Sequence, residues 1–296
     1  MRNRKAIAAY HLMLIPGFVL LILFSIIPMS GIVIAFEKFV PAKGIWGSKW
    51  IGMKNFEYMF SLPDSRSIFT NTLVIAVSKI LCQLIVPVFV ALMLGEIRSV
   101  WFKRTVQTVI YLPHFLSWVV LGGIITNMCS LDGIVNRMVM VFGGQPIMFL
   151  ASNAWFQKVI ILTDTWKEFG FGTVIYMAAM TGIDETLYES AQIDGATRMQ
   201  RIWYITLPGI LSTIVLMATL SLGNVLNAGF EQILTLYNPL VYQTGDILDT
   251  YVYRMGIENA QYGLATAVGL LKSVLSMILI ILSYYMAGRF ANYSIF

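Results

Sequence analysis

Glu189 to Pro208 reads ESAQIDGATRMQRIWYITLP. Carboxylates, arginines and a glycine crowd this segment, while the runs on either side, Trp155 to Met180 and Leu207 to Gly229, are largely apolar. Thr186 to Ala191 is helix-forming, with acidic groups in its first turn, where the positive end of the helix dipole favours them. Gly195 follows Asp194, a common way out of a helix because glycine takes positive φ freely. A second short helix is expected over Arg198 to Tyr204, with Met199, Ile202 and Trp203 on one side and Pro208 opening the next apolar run. The reading is a compact helix-turn-helix knob between two apolar segments.

Composition explains why such a knob stands out. The 296 residues are 58% hydrophobic and only 12% charged, against roughly 25% charged in a typical soluble domain, which marks a polytopic membrane protein. A span needs about 20 mainly apolar residues. Six segments meet that length: Leu12 to Ala35, Thr70 to Gly95, Thr105 to Met128, Trp155 to Met180, Leu207 to Gly229 and Tyr262 to Ala287. The expectation is an all-α, single transmembrane domain over residues 1–296, with the knob, 181–206, as its longest cytoplasmic piece. An even number of spans puts both ends on one side. Arg2, Arg4 and Lys5 before the first span, Arg98, Lys103 and Arg104 after the second, and Arg289 after the last place that side in the cytoplasm. Because Lys38, Lys43, Lys49, Lys54 and Arg66 fall in outer loops, the bias is one of density in short loops.

Other features point the same way. The N-terminal basic flank resembles a signal peptide, but the apolar stretch behind it is too long and no small-residue cleavage site follows, so it reads as a retained first span. Three outer segments, residues 36–69, 129–154 and 230–261, are expected to rim the domain. Cys82 and Cys129 read as buried free thiols, without metal-binding spacing. No phosphate-binding loop is present, so the chain does not use ATP by itself in that way. The net charge of +5 comes from residues flanking spans and calls for no nucleic acid.

The polar segment also carries a pattern: Glu189-Ser190-Ala191, three residues, Gly195, nine residues, then Ile205-x-Leu207-Pro208. It resembles the EAA motif of the membrane-spanning subunits of type I ABC importers, with Ser190 where the pattern usually has alanine. The stretches YLPHFLSWVV (Tyr111 to Val120) and FEQILTLYNPLVYQTGDILDTYVYRMG (Phe230 to Gly256) look like the LplB-type branch, which handles oligosaccharides and polysaccharides. The resemblance covers nearly the whole chain and implies a MetI-like fold of six transmembrane helices in a bacterial cytoplasmic membrane. It further implies a second, similar permease, two cytoplasmic ATP-binding subunits that use ATP and magnesium, an extracytoplasmic solute-binding protein and a carbohydrate substrate. No cofactor is bound by this chain in that family. The knob becomes a coupling helix seated on the ATPase, whose closure on ATP tilts the spans. Glu189, Ser190, Ala191, Asp194, Gly195, Arg198, Leu207 and Pro208 are its coupling residues. Glu189 would hold a basic group on the ATPase or brace the two short helices, and Gly195 would set their angle.

Inside the spans, polar groups stand out by their cost. Thr163-Asp164-Thr165-Trp166-Lys167-Glu168 puts ionisable groups near the bilayer midplane, at about 2.5–3.5 kcal/mol each on insertion scales. Asp164 and Lys167 lie on one helix face and can pair. Trp166, Lys167 and Glu168 either line a translocation path, where an aromatic ring and charged groups suit a sugar, or form an internal salt bridge. Neighbours on a helix point about 100° apart, so not all three can face one cavity. His114, Trp118, Asn224, Asn227 and Glu231 are further path candidates, or make helix–helix hydrogen bonds of about 1 kcal/mol. Lys79 and Lys272 read as packing partners or as snorkelling side chains. The tyrosines and acids from Glu231 to Tyr253 suit a receptor-docking rim or interfacial anchoring.

Two other classes compete with an ATP-driven transport subunit. One is an intramembrane enzyme in which Asp164 and Glu168 share a proton as paired carboxylates. The other is an ion-coupled secondary transporter, which the absence of a sequence repeat disfavours. Two histidines, neither beside a plausible nucleophile or metal-ligand set, argue against catalysis.

Overall fold

A chain this apolar must pair its backbone polar groups internally, and a helix does so within one segment. The computed structural model describes residues 4–291, with side chains over 10–285; Arg2 and the side chains of Arg4, Lys5 and Arg289 lie outside the described residues. The main helices are α1 (Arg4–Leu21), α2 (Lys54–Ser61), α3 (Ser65–Gly95), α4 (Val100–Tyr111), α5 (Trp118–Met128), α6 (Ile134–Val141), α7 (Phe156–Met180) and α8 (Glu185–Ile193). They continue as α9 (Arg198–Gly223), α10 (Phe230–Leu236), α11 (Leu248–Tyr253) and α12 (Tyr262–Ala291). Two residues each in β1 (Glu37–Lys38) and β2 (Lys49–Trp50) pair antiparallel, Glu37 opposite Trp50.

Among the described residues, Tyr10–Phe36, Ser65–Gly95, Arg198–Gly223 and Tyr262–Tyr285 are long and apolar enough to cross a membrane. The expected third span is not one helix. Val100–Phe115 and Trp118–Met128 meet at 105°. Pro113 has no N–H to continue the ladder, Leu116 is extended, and Ser117 starts α5 afresh as its N-cap, its Oγ accepting from the Val120 N–H. The fourth crossing, α7, is 25 residues long, about 37 Å at the helical rise; Lys158, Asp164, Lys167 and Glu168 keep its composition from marking it. With the bent pair counted once, these helices make six crossings. The fifth is shorter than expected: α9 ends at Gly223, and residues 224–229 are non-helical up to α10.

Two prolines are absorbed by π turns. Residues 22–26 and 202–206 are π-helical, and the N–H groups of Ile27 and Leu207 reach back to the carbonyls of Ile22 and Ile202. Pro28 and Pro208 follow directly. A proline removes one i→i−4 bond and crowds the preceding turn, and the wider turn makes the room while the helix runs on. The expected separate helix over Arg198 to Tyr204 is therefore the first turns of α9, and Pro208 lies inside that helix.

The described backbone forms two compact units, Met1–Leu62 with Val252–Leu271, and Pro63–Tyr251 with Lys272–Phe296. In the first, Ala35, Phe56 and Ala267 make the core. Asn55 Nδ2 donates to the carbonyls of Ala35 (2.8 Å) and Glu37 (3.1 Å), and Phe36 stacks on Trp50 at 5.5 Å. Trp46 is exposed. In the second unit, α3 and α7 pack along each other over a core of Ile75, Leu121, Phe156, Ile160, Ile233 and Ile247. The segment after Phe230, expected as a rim, is largely part of that core: Gln232, Ile233, Val241, Ile247 and Thr250 are fully buried. Asp246 and Tyr251 are buried too, which removes them from any docking surface. Their alternation of apolar and polar residues hid a segment that folds back into the helices.

Candidate functional site

The knob is built by capping chemistry. Asp184 starts α8, its Oδ1 accepting the Thr186 N–H at 3.0 Å, and that bond holds the Asp184 carboxyl below the usual aspartate range. At the other end, Gly195 has φ +76. The Ala196 N–H bonds the Ala191 carbonyl at 2.9 Å and the Gly195 N–H bonds that of Gln192 at 3.1 Å, a Schellman turn with Asp194 at the cap. Thr197 and Gln200 form a reciprocal capping box that launches α9. The Glu189-to-Gly195 spacing is thus the second half of one short helix plus its left-handed exit.

The brace between the two arms is Tyr188, whose hydroxyl meets Thr206 Oγ1 at 2.9 Å. Glu189, given bracing as one of two expected roles, is exposed, as are Ser190, Asp194, Gly195, Arg198 and Pro208; Ala191 and Leu207 are half-buried. Arg198 Nε lies 3.8 Å from Glu96 Oε2 in an exposed pair, an arrangement worth about 0–1 kcal/mol. Ile193, Met199, Trp203 and Tyr204 are 86%, 62%, 62% and 79% exposed. Ile202 is half-buried beneath them. Apolar side chains ringed by charge on a short polar segment form a surface suited to a protein partner.

Within the helices, the ionisable groups sort into two clusters. In the first, Lys79 on α3 meets Asp164 on α7 at 3.1 Å and also donates to the Ala228 carbonyl (2.8 Å) and to Gln232 Oε1. Gln83 Nε2 donates to Asp164 Oδ2 at 2.7 Å, and Gln232 Nε2 to the Ile160 carbonyl (2.8 Å) and Thr163 Oγ1 (2.9 Å). Lys79 and Asp164 are 5% and 7% exposed. The three N–H bonds of the ammonium all have acceptors, so it is committed to this network. Gly229, at φ +94, is required here, since a Cβ would run into the Lys79 ammonium.

The second cluster joins α7 to the bend between α4 and α5. Glu168 holds His114 Nδ1 at 2.7 Å and Lys167 at 2.9 Å. Lys167 also donates to the His114 carbonyl at 2.8 Å and lies 5.6 Å from the Trp118 ring centroid. The His114 ring stacks on Phe171 at 4.2 Å. Four expected path residues, His114, Trp118, Lys167 and Glu168, therefore meet in one place. Trp166 does not join them: it is 44% exposed while Lys167 is buried, as the angular offset along a helix requires.

The expected Asp164–Lys167 pair does not form. Each side chain finds a better-placed partner, Lys79 on another helix for Asp164 and the adjacent Glu168 for Lys167. Asp164 and Glu168 belong to separate clusters, each facing a cation, so they are not a proton-sharing dyad and the enzyme reading falls.

A cavity of about 330 Å³ opens beside the first cluster, lined by Lys79, Gln83, Asp164, Ser221, Asn224 and Asn227 among others. Asn224 and Asn227, expected on one face of a continuous helix, sit instead on the break after α9 and bond each other, Asn227 Nδ2 to Asn224 Oδ1 at 3.2 Å. Glu231 is exposed in the first turn of α10. Sequence reasoning missed Gln83, Ser221 and Gln232, and left Lys79 without a role. A lysine deep in an apolar run was a signal in its own right, whereas the glutamines carried none.

Six crossings, the third of them bent, with a capped knob between the fourth and fifth and a polar cavity between α3, α7 and the break after α9, define a membrane-embedded transport component. Residues 83–292 match the family of binding-protein-dependent transport system inner membrane components, and the chain belongs to that family. It is 41% identical to protein LplB of Bacillus subtilis (strain 168) over 287 residues, covering 97% of this chain and 90% of that one. The polygalacturonan/rhamnogalacturonan transport system permease protein YteP of the same organism is 40% identical, with 97% and 89% covered. Among solved structures, a bacterial ABC transporter involved in the import of the acidic polysaccharide alginate has a TM-score of 0.90 and 36% identity over 98% of both chains. The bacterial alginate ABC transporter in complex with alginate pentasaccharide-bound periplasmic protein has a TM-score of 0.88 and 35% identity.

Proposed function

We propose that this chain is one permease half of an ATP-driven importer that moves an oligosaccharide or polysaccharide fragment inward through a bacterial cytoplasmic membrane, both of its termini lying in the cytoplasm. A second, similar permease completes the path, an extracytoplasmic solute-binding protein delivers the sugar, and two cytoplasmic subunits bind and hydrolyse ATP with magnesium. This chain holds no cofactor and breaks no bond.

The observation that carries the reading is the knob. A helix of fixed length, closed by a Schellman turn and braced through Tyr188 to the start of a span, passes force from a soluble partner into α9 with little give. Glu189, Ser190, Ala191, Asp194, Gly195 and Arg198 shape or face that contact, and Leu207 and Pro208 begin the crossing that receives it. The carbohydrate class rests on the relatives and on the cavity, whose amides match sugar hydroxyls. Asn224 and Asn227 are the best-placed of the expected path residues to touch substrate. His114, Trp118, Lys167 and Glu168 bond mainly to one another and hold the bent third crossing against α7; Trp166 and Glu231 lie elsewhere on the path or at its rim.

The test is the composition of the particle purified through a tag on this chain in mild detergent. One copy each of this chain and a second permease, with two ATPase subunits whose turnover rises with sugar-loaded binding protein, is the expected result. A particle of this chain alone that carries solute without ATP would return the ion-coupled reading.

A further inference from the structure

The outward face of α4 belongs to none of the sites above. Its inward face follows α7: Gln107 Nε2 lies 3.2 Å from Met177 Sδ, the Ile110 carbonyl passes so close to Gly170 that a Cβ there would collide with it, and the His114 carbonyl takes the Lys167 ammonium at 2.8 Å. The two helices therefore run antiparallel, and α7 sets the depth of α4. From the middle of its 25 residues, α7 reaches about 18 Å towards the knob, just past the hydrocarbon half-thickness of about 15 Å. Gln107 stands against Met177, near that end of α7, so Arg104 and Trp101, earlier in α4, come to the headgroup layer.

The side turned away from α7 carries Trp101, Thr105, Thr108 and, in the turn after α4, Leu112, spaced to form one stripe. Trp101 and Leu112 are 76% and 61% exposed, and Val109 beside them is 65% exposed. Both threonine hydroxyls donate back to their own helix, Thr105 to the Trp101 carbonyl at 3.0 Å and Thr108 to that of Arg104 at 2.9 Å, so the stripe behaves as an apolar surface. At its cytoplasmic end Arg98 and Arg104 are exposed, and neither enters an ion pair among the described residues.

We propose that this face holds an anionic phospholipid of the cytoplasmic leaflet, with Arg98 and Arg104 on its phosphate, Trp101 at its glycerol backbone and an acyl chain along Thr105, Thr108, Val109 and Leu112. A guanidinium matches phosphate oxygens in a bidentate fork, and tryptophan sits favourably where one end is apolar and the other wet. A second permease would be the competing occupant, but the core of a protein interface is depleted of charge, whereas a negatively charged leaflet supplies the counter-ions that the two arginines lack. The lipid would brace α4 against α7 on the side opposite the charge cluster that holds the bend. The inference goes beyond the transport reading and rests only on its orientation, with the start of α4 towards the cytoplasm.

The experiment titrates the full complex in mild detergent with phosphatidylglycerol or phosphatidylcholine, each carrying the same photoreactive acyl chain, and maps the labelled peptides by mass spectrometry. Labelling within residues 101–112 is expected, with phosphatidylglycerol preferred about tenfold and the preference shrinking as salt screens the charges. The double variant Arg98→Gln with Arg104→Gln should lose that preference at this peptide while the complex elutes unchanged on size-exclusion chromatography; Arg98→Lys with Arg104→Lys, which keeps the charge without the fork, should retain part of it. Equal labelling by the two lipids, or a preference that survives the glutamine variant, overturns the proposal. So does a stripe that takes no lipid and, with a photoreactive residue in place of Thr105, crosslinks to the second permease. A particle lacking ATPase subunits counts against the transport reading, and labelling of this chain still decides the lipid site.

Discussion

At the scale of single residues, the costly objects are buried charges. Lys79 and Asp164 face each other with every polar atom named around them partnered. Removing one member of such a pair leaves the other charge stranded, typically at about 3–5 kcal/mol. Asp164→Leu is therefore expected to lower the thermal unfolding midpoint of the detergent-purified complex more than the double variant Lys79→Met with Asp164→Leu. A double variant less stable than the single would mean that Lys79 is held by Gln232 and Ala228 alone. Gly229→Ala belongs to the same network: its methyl group meets the Lys79 ammonium, in a backbone conformation that costs a non-glycine residue roughly 1–2 kcal/mol. A lower yield of assembled complex on size-exclusion chromatography is the readout. The presence of Lys79 and Asp164 in apolar runs was legible in the sequence. Their pairing was not, because it depends on how α3 and α7 are set beside each other.

At the scale of elements, the knob is where capping becomes mechanics. Gly195→Ala is expected to strain the Schellman turn and to abolish sugar-stimulated ATP hydrolysis while leaving the spans folded, as circular dichroism would register. Tyr188→Phe removes one hydrogen bond, to Thr206, worth about 0.5–1.5 kcal/mol net, and should reduce coupling partially. Retention of full coupling in both variants would detach the knob from the drive. The cap at Asp184 adds a pH dependence with a defined sign. Its folded carboxyl titrates below its unfolded value, so the cap's contribution is present above the unfolded range and is lost as pH falls through the folded one. Amide exchange in residues 185–193 should rise on acidification, and Asp184→Asn, which still caps, should remove that rise. Proline gave mixed signals at this scale. Pro208 looked like a boundary and lies inside a helix because the π turn before it makes room; Pro113 looked like part of a span and marks its break.

For the whole molecule, the question is what moves against what. The break at residues 224–229 and the bend at Leu116 and Ser117 are the non-helical interruptions of the fifth and third crossings, and each is tied to α7 or α3 by a charge cluster. Backbone freed from the helical ladder needs partners at membrane depth, and the Lys79 and Lys167 ammonium groups supply them to the Ala228 and His114 carbonyls. Lys167→Met is accordingly expected to loosen the bend, seen as faster exchange over residues 112–118, with sugar binding at the cavity beside Asn224 retained. Loss of binding without faster exchange would make Lys167 a substrate contact instead.

Hydrophobic runs of span length, a short helix closed by glycine and a polar pattern at fixed spacing are local properties, set by backbone solvation and by φ preference, and the sequence alone determined them. It was enough to define a polytopic all-α membrane protein with a capped knob and to place its family. What only the tertiary structure decided is which charges meet, where two spans break, and that the segment after Phe230 returns to the core. Those outcomes depend on distances between helices far apart in the chain. An ammonium pairs with the acceptor that packing brings within about 3 Å, and one chain's order of residues does not state that distance.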